Sequence, residues 1–211
     1  MSTQKTRHEY SRGALAESTA GQDPLRLFQK WFAAAKRSVL SEPCAAALAT
    51  VAGSAPSVRY VLLRGADSRG FVFYTNYESR KARELERNPR AAMALWWETL
   101  ERQVRIEGRV ERVNEEESDA YFHSRPRSSR LSAWASPQSR VVSSRASLER
   151  KFREAKERFT GRDVPRPASW GGYRLLPSAI EFWQGRTHRL HDRFRFTRSA
   201  KGAWRRERLA P

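Results

Sequence analysis

Apolar positions follow a helical period once near the start of the chain and then switch to the alternation of strands. Leu27, Phe28, Trp31, Phe32, Ala35 and Val39 fall on one helical face. Asp23-Pro24 supplies a side-chain cap and a proline at the first helical position, and Pro43 lies just past the end. Residues 1–22 carry no such periodicity and read as a flexible arm ahead of one domain over 23–211.

From Cys44 onward the period is two. Ala45–Val51 and Ser57–Leu63 flank the turn signal Gly53-Ser54, and Asp67–Gly70 turns into the aromatic, β-branched run Phe71–Thr75. Ser79–Arg87 predicts a short helix stopped by Asn88-Pro89. Ala91–Trp97 and Gln103–Val113 predict two further strands joined by the polar link Glu98–Arg102. Glu115–His123 and Ser147–Phe159 return to helical spacing, with an Arg- and Ser-rich stretch, Ser124–Ser144, between them. Gly172–Leu176, Ile180–Trp183, Phe194–Thr197 and Ala203–Arg208 close the chain as separate strands. Strands in antiparallel-looking succession with inserted helices predict a small α+β barrel.

Composition narrows the classes. The chain has 211 residues, and 39% hydrophobic content is enough for a real core. No run approaches the roughly 18 apolar residues of a membrane span, and no apolar run near the start suggests a secretory signal. Cys44 is the sole cysteine, which excludes an internal disulfide and a cysteine-built metal site, and suits a reducing cytoplasm. Net charge is +18, and 34 of the 41 basic residues are arginine. Such a chain attracts polyanions. The positives are nevertheless spread from Arg7 to Arg208 among interleaved acids, as on a solvated surface biased towards arginine.

Four segments hold more specific chemistry than a barrel needs. In Arg59–Arg64, alternation puts Arg59, Val61 and Leu63 on one face and Tyr60, Leu62 and Arg64 on the other. Tyr74-Thr75-Asn76, then Ser79-Arg80-Lys81, joins a strand end to a helix start, where free N–H groups and two cations suit a phosphate. Tyr121 and Arg125 lie four apart on one helical face, with Ser129 a turn further on if the helix passes Pro126; these groups suit a phosphate too. Glu181–Gly185 followed by His188–Arg193 packs two histidines, two arginines and an aspartate beside a tryptophan, a place for proton handling and anion orientation. Convincing metal-ligand spacing, a GxGxxG run and a Walker motif are all missing.

In order along the chain, Phe-Tyr-Thr-Asn (73–76), Ser-Arg-Lys-Ala (79–82), Leu-Glu-Arg-Gln-Val (100–104), Tyr-Phe-His-Ser-Arg-Pro-Arg (121–127), Glu-Phe-Trp-Gln-Gly (181–185), His-Arg-Leu-His-Asp-Arg (188–193) and Arg-Leu-Ala-Pro (208–211) resemble the pyridoxamine 5′-phosphate oxidase family. The resemblance runs from about Arg7 to Pro211. It implies an FMN-binding split β-barrel, antiparallel and Greek-key-like with flanking helices, working as a homodimer with FMN at the subunit interface. The implied activity is oxidation of pyridoxamine or pyridoxine 5′-phosphate by O2.

By position, the resemblance assigns flavin contacts to Arg59, Tyr60, Val61, Leu62, Leu63, Arg64, Tyr74, Thr75, Arg80, Lys81, Gln103, Gln138, Ser139, Trp183 and Arg193. It assigns substrate contacts to Arg64, Tyr121, Arg125, Ser129, Arg189, Leu190 and His191, and to Arg7, His8, Glu9 and Tyr10 of the arm. Arg189 and His191 are the implied catalytic pair, with the choice of base left open between them. Arg64 replaces the family's common lysine, and His8 stands where many relatives carry arginine. Two rivals differ in class. A phenazine-type flavin oxidase would keep the fold but lose the B6 phosphate grip. A nucleic-acid binder would show strongly salt-dependent affinity and no colour, and no known nucleic-acid motif supports it.

Overall fold

The strand alternation read from the sequence builds a closed barrel in the computed structural model, which describes residues 9–38 and 40–211. Eight strands form one antiparallel sheet: β1 (Ala45–Ala52), β2 (Ala55–Asp67), β3 (Gly70–Asn76), β4 (Arg90–Trp97), β5 (Arg102–Arg112), β6 (Trp170–Gln184), β7 (Asp192–Arg198) and β8 (Trp204–Leu209). Their order is β3-β2-β1-β4-β5-β6-β7-β8, and a further β3–β6 pairing closes the first six into the barrel. Strands β7 and β8 extend the sheet beyond β6.

Inward-pointing Leu48, Leu63, Phe71, Phe73, Met93, Leu95, Val104, Ile106 and Phe182 fill the barrel. Helix α1 (Glu17–Ala20) lies in the arm region, and α2 (Pro24–Arg37) covers the barrel. Helix α2 begins as read: the Asp23 carboxylate accepts from the Leu25 and Arg26 N–H groups, with Pro24 at the first position. Its Phe28 meets Phe71 at 4.8 Å and its Trp31 meets Phe182 at 5.2 Å, so one apolar face seals the core. Val39 lies outside the described residues. No helix among the described residues is long and apolar enough to cross a membrane.

The structure corrects the sequence reading in two places. The segments Gly172–Leu176 and Ile180–Trp183 are one strand, β6, running through Pro177. Proline survives there because the β5 partner shifts register between Glu107 and Gly108, and a bulge needs no donor at that point. Gly108 is obligatory in this geometry, since a Cβ would sit 2.0 Å from the Leu176 carbonyl oxygen. The second correction is in the Arg/Ser-rich stretch, which contains α5 (Arg127–Ala135). Leu131 and Ala135 are buried there, and the Trp134 indole donates to the Pro165 carbonyl at 2.8 Å. With α4 (Glu115–Ser124) and α6 (Arg145–Arg158), this helix builds a second small core around Phe122, Phe159 and Trp170. Helix α3 (Arg80–Arg87) packs beside β1.

Alternation leaves the outer faces of β2, β1 and β4 apolar. Val58, Tyr60 and Leu62 point outward from β2, with Tyr60 78% exposed. In register, Tyr60 lies opposite Ala47, itself opposite Ala94, while Leu62 lies opposite Ala45. Trp96 of β4 is likewise exposed. Small alanines between large exposed rings make a broad apolar surface, unusual for a monomer.

Candidate active site

The end of β3 and the start of α3 build the first polar cluster. Ser79 caps α3, its hydroxyl accepting from the Ala82 N–H, and this aims the helix start at Thr75. The Lys81 ammonium donates to the Thr75 hydroxyl at 3.0 Å and to Gln138 Oε1 at 2.9 Å, and Thr75 donates to the same Gln138 oxygen at 2.8 Å. Lys81 is buried with neutral oxygens as its hydrogen-bond partners, so burial first, and the nearby Arg59 charge second, lower its pKa to about 8. Ser139 follows with φ of 67°, a left-handed turn that leads the chain away from Gln138. Arg59 points inward beneath this cluster, where its guanidinium donates to Glu84 at 2.8 Å. The exposed Arg80 holds the other Glu84 oxygen through Nε, also at 2.8 Å.

A second cluster lies where α4 meets β3. The Tyr74 and Tyr121 rings stack at 3.9 Å, and burial pushes the Tyr74 phenol up to about 12. Helix α4 stops at Ser124 because Pro126 drives Arg125 into an extended conformation, φ −77° and ψ 148°. Helical spacing therefore does not carry on to Ser129, which sits on α5 instead. The Arg125 guanidinium lies 4.6 Å over the Trp170 ring. Its Nη1 is buried without a hydrogen-bond partner among the described residues. Burial lowers the Arg125 pKa, and the neighbouring Arg64 charge adds to that effect. Two guanidiniums so placed, one with an unused buried donor, suit a dianion.

The third group surrounds the β6–β7 loop. Gln103, Trp183 and Arg193 are cross-strand neighbours on β5, β6 and β7, and Trp96 lies opposite Gln103 from β4. Arg193 is held by Glu181 at 2.9 Å and by the Ala210 carbonyl at 2.8 Å. The loop itself is strained: His188 and Arg189 both adopt positive φ, 54° and 63°. Arg189 and Leu190 are exposed at its tip. The His191 ring packs 4.5 Å from Trp183, and its Nδ1 accepts from the Arg186 N–H at 3.1 Å. The neutral ring therefore carries its proton on Nε2 and is a donor there. Desolvation, then Arg189, lowers its pKa.

Glu9 and Tyr10 of the arm pack onto this loop. Tyr10 sets its ring edge-on to both Trp183 and His191 at 5.4 Å. The Glu9 carboxylate accepts from the His188 N–H at 2.8 Å, so in this arrangement it holds the loop. Arg7 and His8 lie outside the described residues.

One chain does not bring the three groups together. Tyr74 pairs with Gly172 and Gln103 with Trp183, eleven residues further along β6, a path of about 35 Å. Tyr60, Leu62, Arg64, Gln103 and Trp183 all point out from a convex barrel, so their side chains diverge. A second copy facing the apolar β2–β1–β4 surface is what would set the groups opposite each other.

Residues 32–159 match the family model described as pyridoxamine 5′-phosphate oxidase, and residues 170–211 match the one described as the pyridoxine 5′-phosphate oxidase C-terminal dimerisation region. The pyridoxine/pyridoxamine 5′-phosphate oxidase of Rubrobacter xylanophilus is 57% identical, over 97% of this chain and 94% of that protein. The one from Bordetella petrii is 53% identical over the full length of both. The chain belongs to the pyridoxamine 5′-phosphate oxidase family.

Among solved structures, PhzG from Burkholderia lata, in complex with tetrahydrophenazine-1-carboxylic acid, superposes with a TM-score of 0.88 at 32% identity, over 94% of this chain and 98% of that one. A pyridoxamine 5′-phosphate oxidase-related, FMN binding protein from Nostoc punctiforme shares the fold, with a TM-score of 0.72 at 18% identity, over 90% and 100% of the two chains. Within this oxidase-family frame, the structure adds residues that the motifs did not single out. Trp170 is the platform for Arg125, Trp96 faces Gln103 and Trp183, and Glu84 joins Arg59 to Arg80. Only Trp170 had a local signal, a tryptophan directly before Gly171-Gly172, where a Cβ on Gly172 would press into the Tyr74 ring at 2.8 Å.

Proposed function

We propose that two copies of this chain enclose FMN and oxidise pyridoxamine or pyridoxine 5′-phosphate to the aldehyde, consuming O2 and releasing H2O2, with one water consumed and NH3 released in the hydrolysis of the imine from the amine. One observation carries this reading: the chain has two separate cationic grips, as two phosphate-bearing molecules require. Lys81, with Thr75, Gln138 and the adjoining Arg80, fits the FMN phosphate. Arg125, with its unpartnered buried nitrogen, fits the substrate phosphate together with Arg64, Tyr121 and Ser129. When bound, FMN would supply the two-electron acceptor for a hydride from substrate C4′, with O2 as the final oxidant.

The protein's own share is orientation and electrostatics. Tyr60 and Leu62 would meet the flavin with their outward side chains, and Val61 and Leu63, whose side chains face the barrel, with their backbone, while Gln103, Trp183 and Arg193 of a second copy would complete the site. His191 in the tautomer described donates from Nε2, and so holds the substrate instead of taking its proton. Arg189 and Leu190 close over the substrate ring, and Tyr10 packs behind His191. Ser139, next to Gln138, would meet the same FMN phosphate. Residues 23–211 act as one catalytic domain with 1–22 as an arm. A single free cysteine is consistent with work in the cytoplasm.

The decisive experiment is the absorption spectrum of the purified protein before and after anaerobic addition of pyridoxamine 5′-phosphate. A yellow protein that bleaches, then recovers in air with peroxide release, is expected. A protein that stays colourless with added FMN would refute the reading. A yellow protein that bleaches only with a phenazine precursor would instead place it with the phenazine-type oxidases.

A further inference from the structure

Glu84 is a carboxylate with 4% exposure in the middle of α3, and the reaction described above gives it no task. Burying an ion is costly, and here the cost is offset by donors from three elements. Its Oε2 accepts from Arg59 at 2.8 Å and from the Ser57 and Thr50 hydroxyls, while its Oε1 accepts from Arg80 Nε at 2.8 Å. These bonds hold its pKa at about 2 against the opposing effect of burial. The arrangement has two consequences. Arg80 spends its Nε on Glu84, which tethers an otherwise exposed side chain and, among the described residues, leaves both terminal nitrogens unused. Arg59 is neutralised where it would otherwise repel Lys81.

We propose that Glu84 is a positioning residue for the flavin phosphate: it anchors the Arg80 fork and offsets Arg59, so that Arg80 and Lys81 present two ready cations to one phosphate. This rests on the FMN reading above. A charged side chain that arrives already ordered loses less conformational entropy on binding. The second effect concerns Lys81, which is faced by Arg59 from β2 and Glu84 from its own helix, and by the neutral Thr75, Ser79 and Gln138. Arg59 lowers the Lys81 pKa and Glu84 raises it. Without Glu84, Lys81 gives up its proton at lower pH.

The test titrates the apoprotein, wild type and Glu84→Gln, with FMN and with riboflavin, following flavin fluorescence across pH 6 to about 10. The FMN Kd should rise roughly tenfold or more in the variant, the scale of one lost charge-assisted contact. The riboflavin Kd, which involves no phosphate, should change by less than about twofold. Wild-type FMN affinity should fall as pH passes about 8, and that fall should move to lower pH in Glu84→Gln. Equal FMN affinity in both proteins overturns the proposal, and so does an equal loss for FMN and riboflavin, which marks a packing role. If Glu84→Gln does not fold, Glu84→Asp decides. It keeps the charge but shortens the reach, so FMN affinity should drop at an unchanged pH midpoint, and wild-type affinity there overturns the proposal. A wild-type protein that binds neither flavin fails the FMN reading itself, a distinct result.

Discussion

Replacing Arg125 with methionine separates substrate binding from stability, because its two contributions to stability carry opposite signs in this structure. The methionine stem can still lie over Trp170, where the guanidinium now sits at 4.6 Å. Losing the cation from that ring costs about 0.5–2 kcal/mol. Losing the buried Nη1, which has no partner, recovers about 1–3 kcal/mol of desolvation penalty. The two nearly cancel, so the ligand-free variant should melt within about 4 °C of wild type, the shift that 1 kcal/mol produces in a chain of this size.

Substrate binding has no such compensation. A charge-assisted hydrogen bond to phosphate is worth about 1.5–3 kcal/mol, or roughly 10- to 150-fold in affinity. The phosphate is remote from C4′ and unchanged by the reaction, so its loss should raise KM by that factor and leave kcat within about threefold. Steady-state peroxide release and a thermal melt of the apoprotein measure both quantities. An unchanged KM would refute the phosphate assignment. A Tm lower by 10 °C or more would show, on the same scale, that Arg125 serves chiefly as packing.

Other outcomes follow from the same geometry. His191→Asn should lower kcat by about 100-fold, the cost of a misplaced substrate, while FMN stays bound, as flavin absorbance after gel filtration would show. The His191 pKa lies below its ordinary value, and protonating Nδ1 would break its bond from the Arg186 N–H. The neutral form therefore dominates above that pKa, and kcat should fall only as pH drops through it, on the acid side of the ordinary histidine range. Gly108→Ala should cost about 3 kcal/mol in denaturant unfolding, because its Cβ would strike backbone at Leu176 instead of a movable side chain. Tyr60→Asp, on the exposed apolar face of β2, should yield a monomer by light scattering that retains its fold and binds FMN poorly.

Much of the fold was legible in local order. The α2 cap at Asp23-Pro24 and the alternation of β4 and β5 formed as read, since each depends on neighbours a few residues away. The α5 helix was hidden because serine and arginine give it no apolar run; its Leu131, Trp134 and Ala135 do have helical spacing, but Pro126 signals a break just before it. The unity of β6 was hidden as well, because a proline ends a strand unless a partner strand supplies a bulge.

For the site, the sequence by itself determined which chemical groups are present: an ordered set of motifs with two sets of residues suited to phosphate and a histidine loop. Only the tertiary structure decided how they are used. Arg59 and Arg80 are joined because both reach one buried carboxylate, Arg125 Nη1 has no acceptor among the described residues because the Trp170 ring lies beneath the guanidinium, and His191 is a donor at Nε2 because a backbone N–H occupies its other nitrogen. The reason is physical: residue type fixes what a group can donate or accept. Which donors are already satisfied, and which remain open for a ligand, depends on contacts between segments distant in the chain.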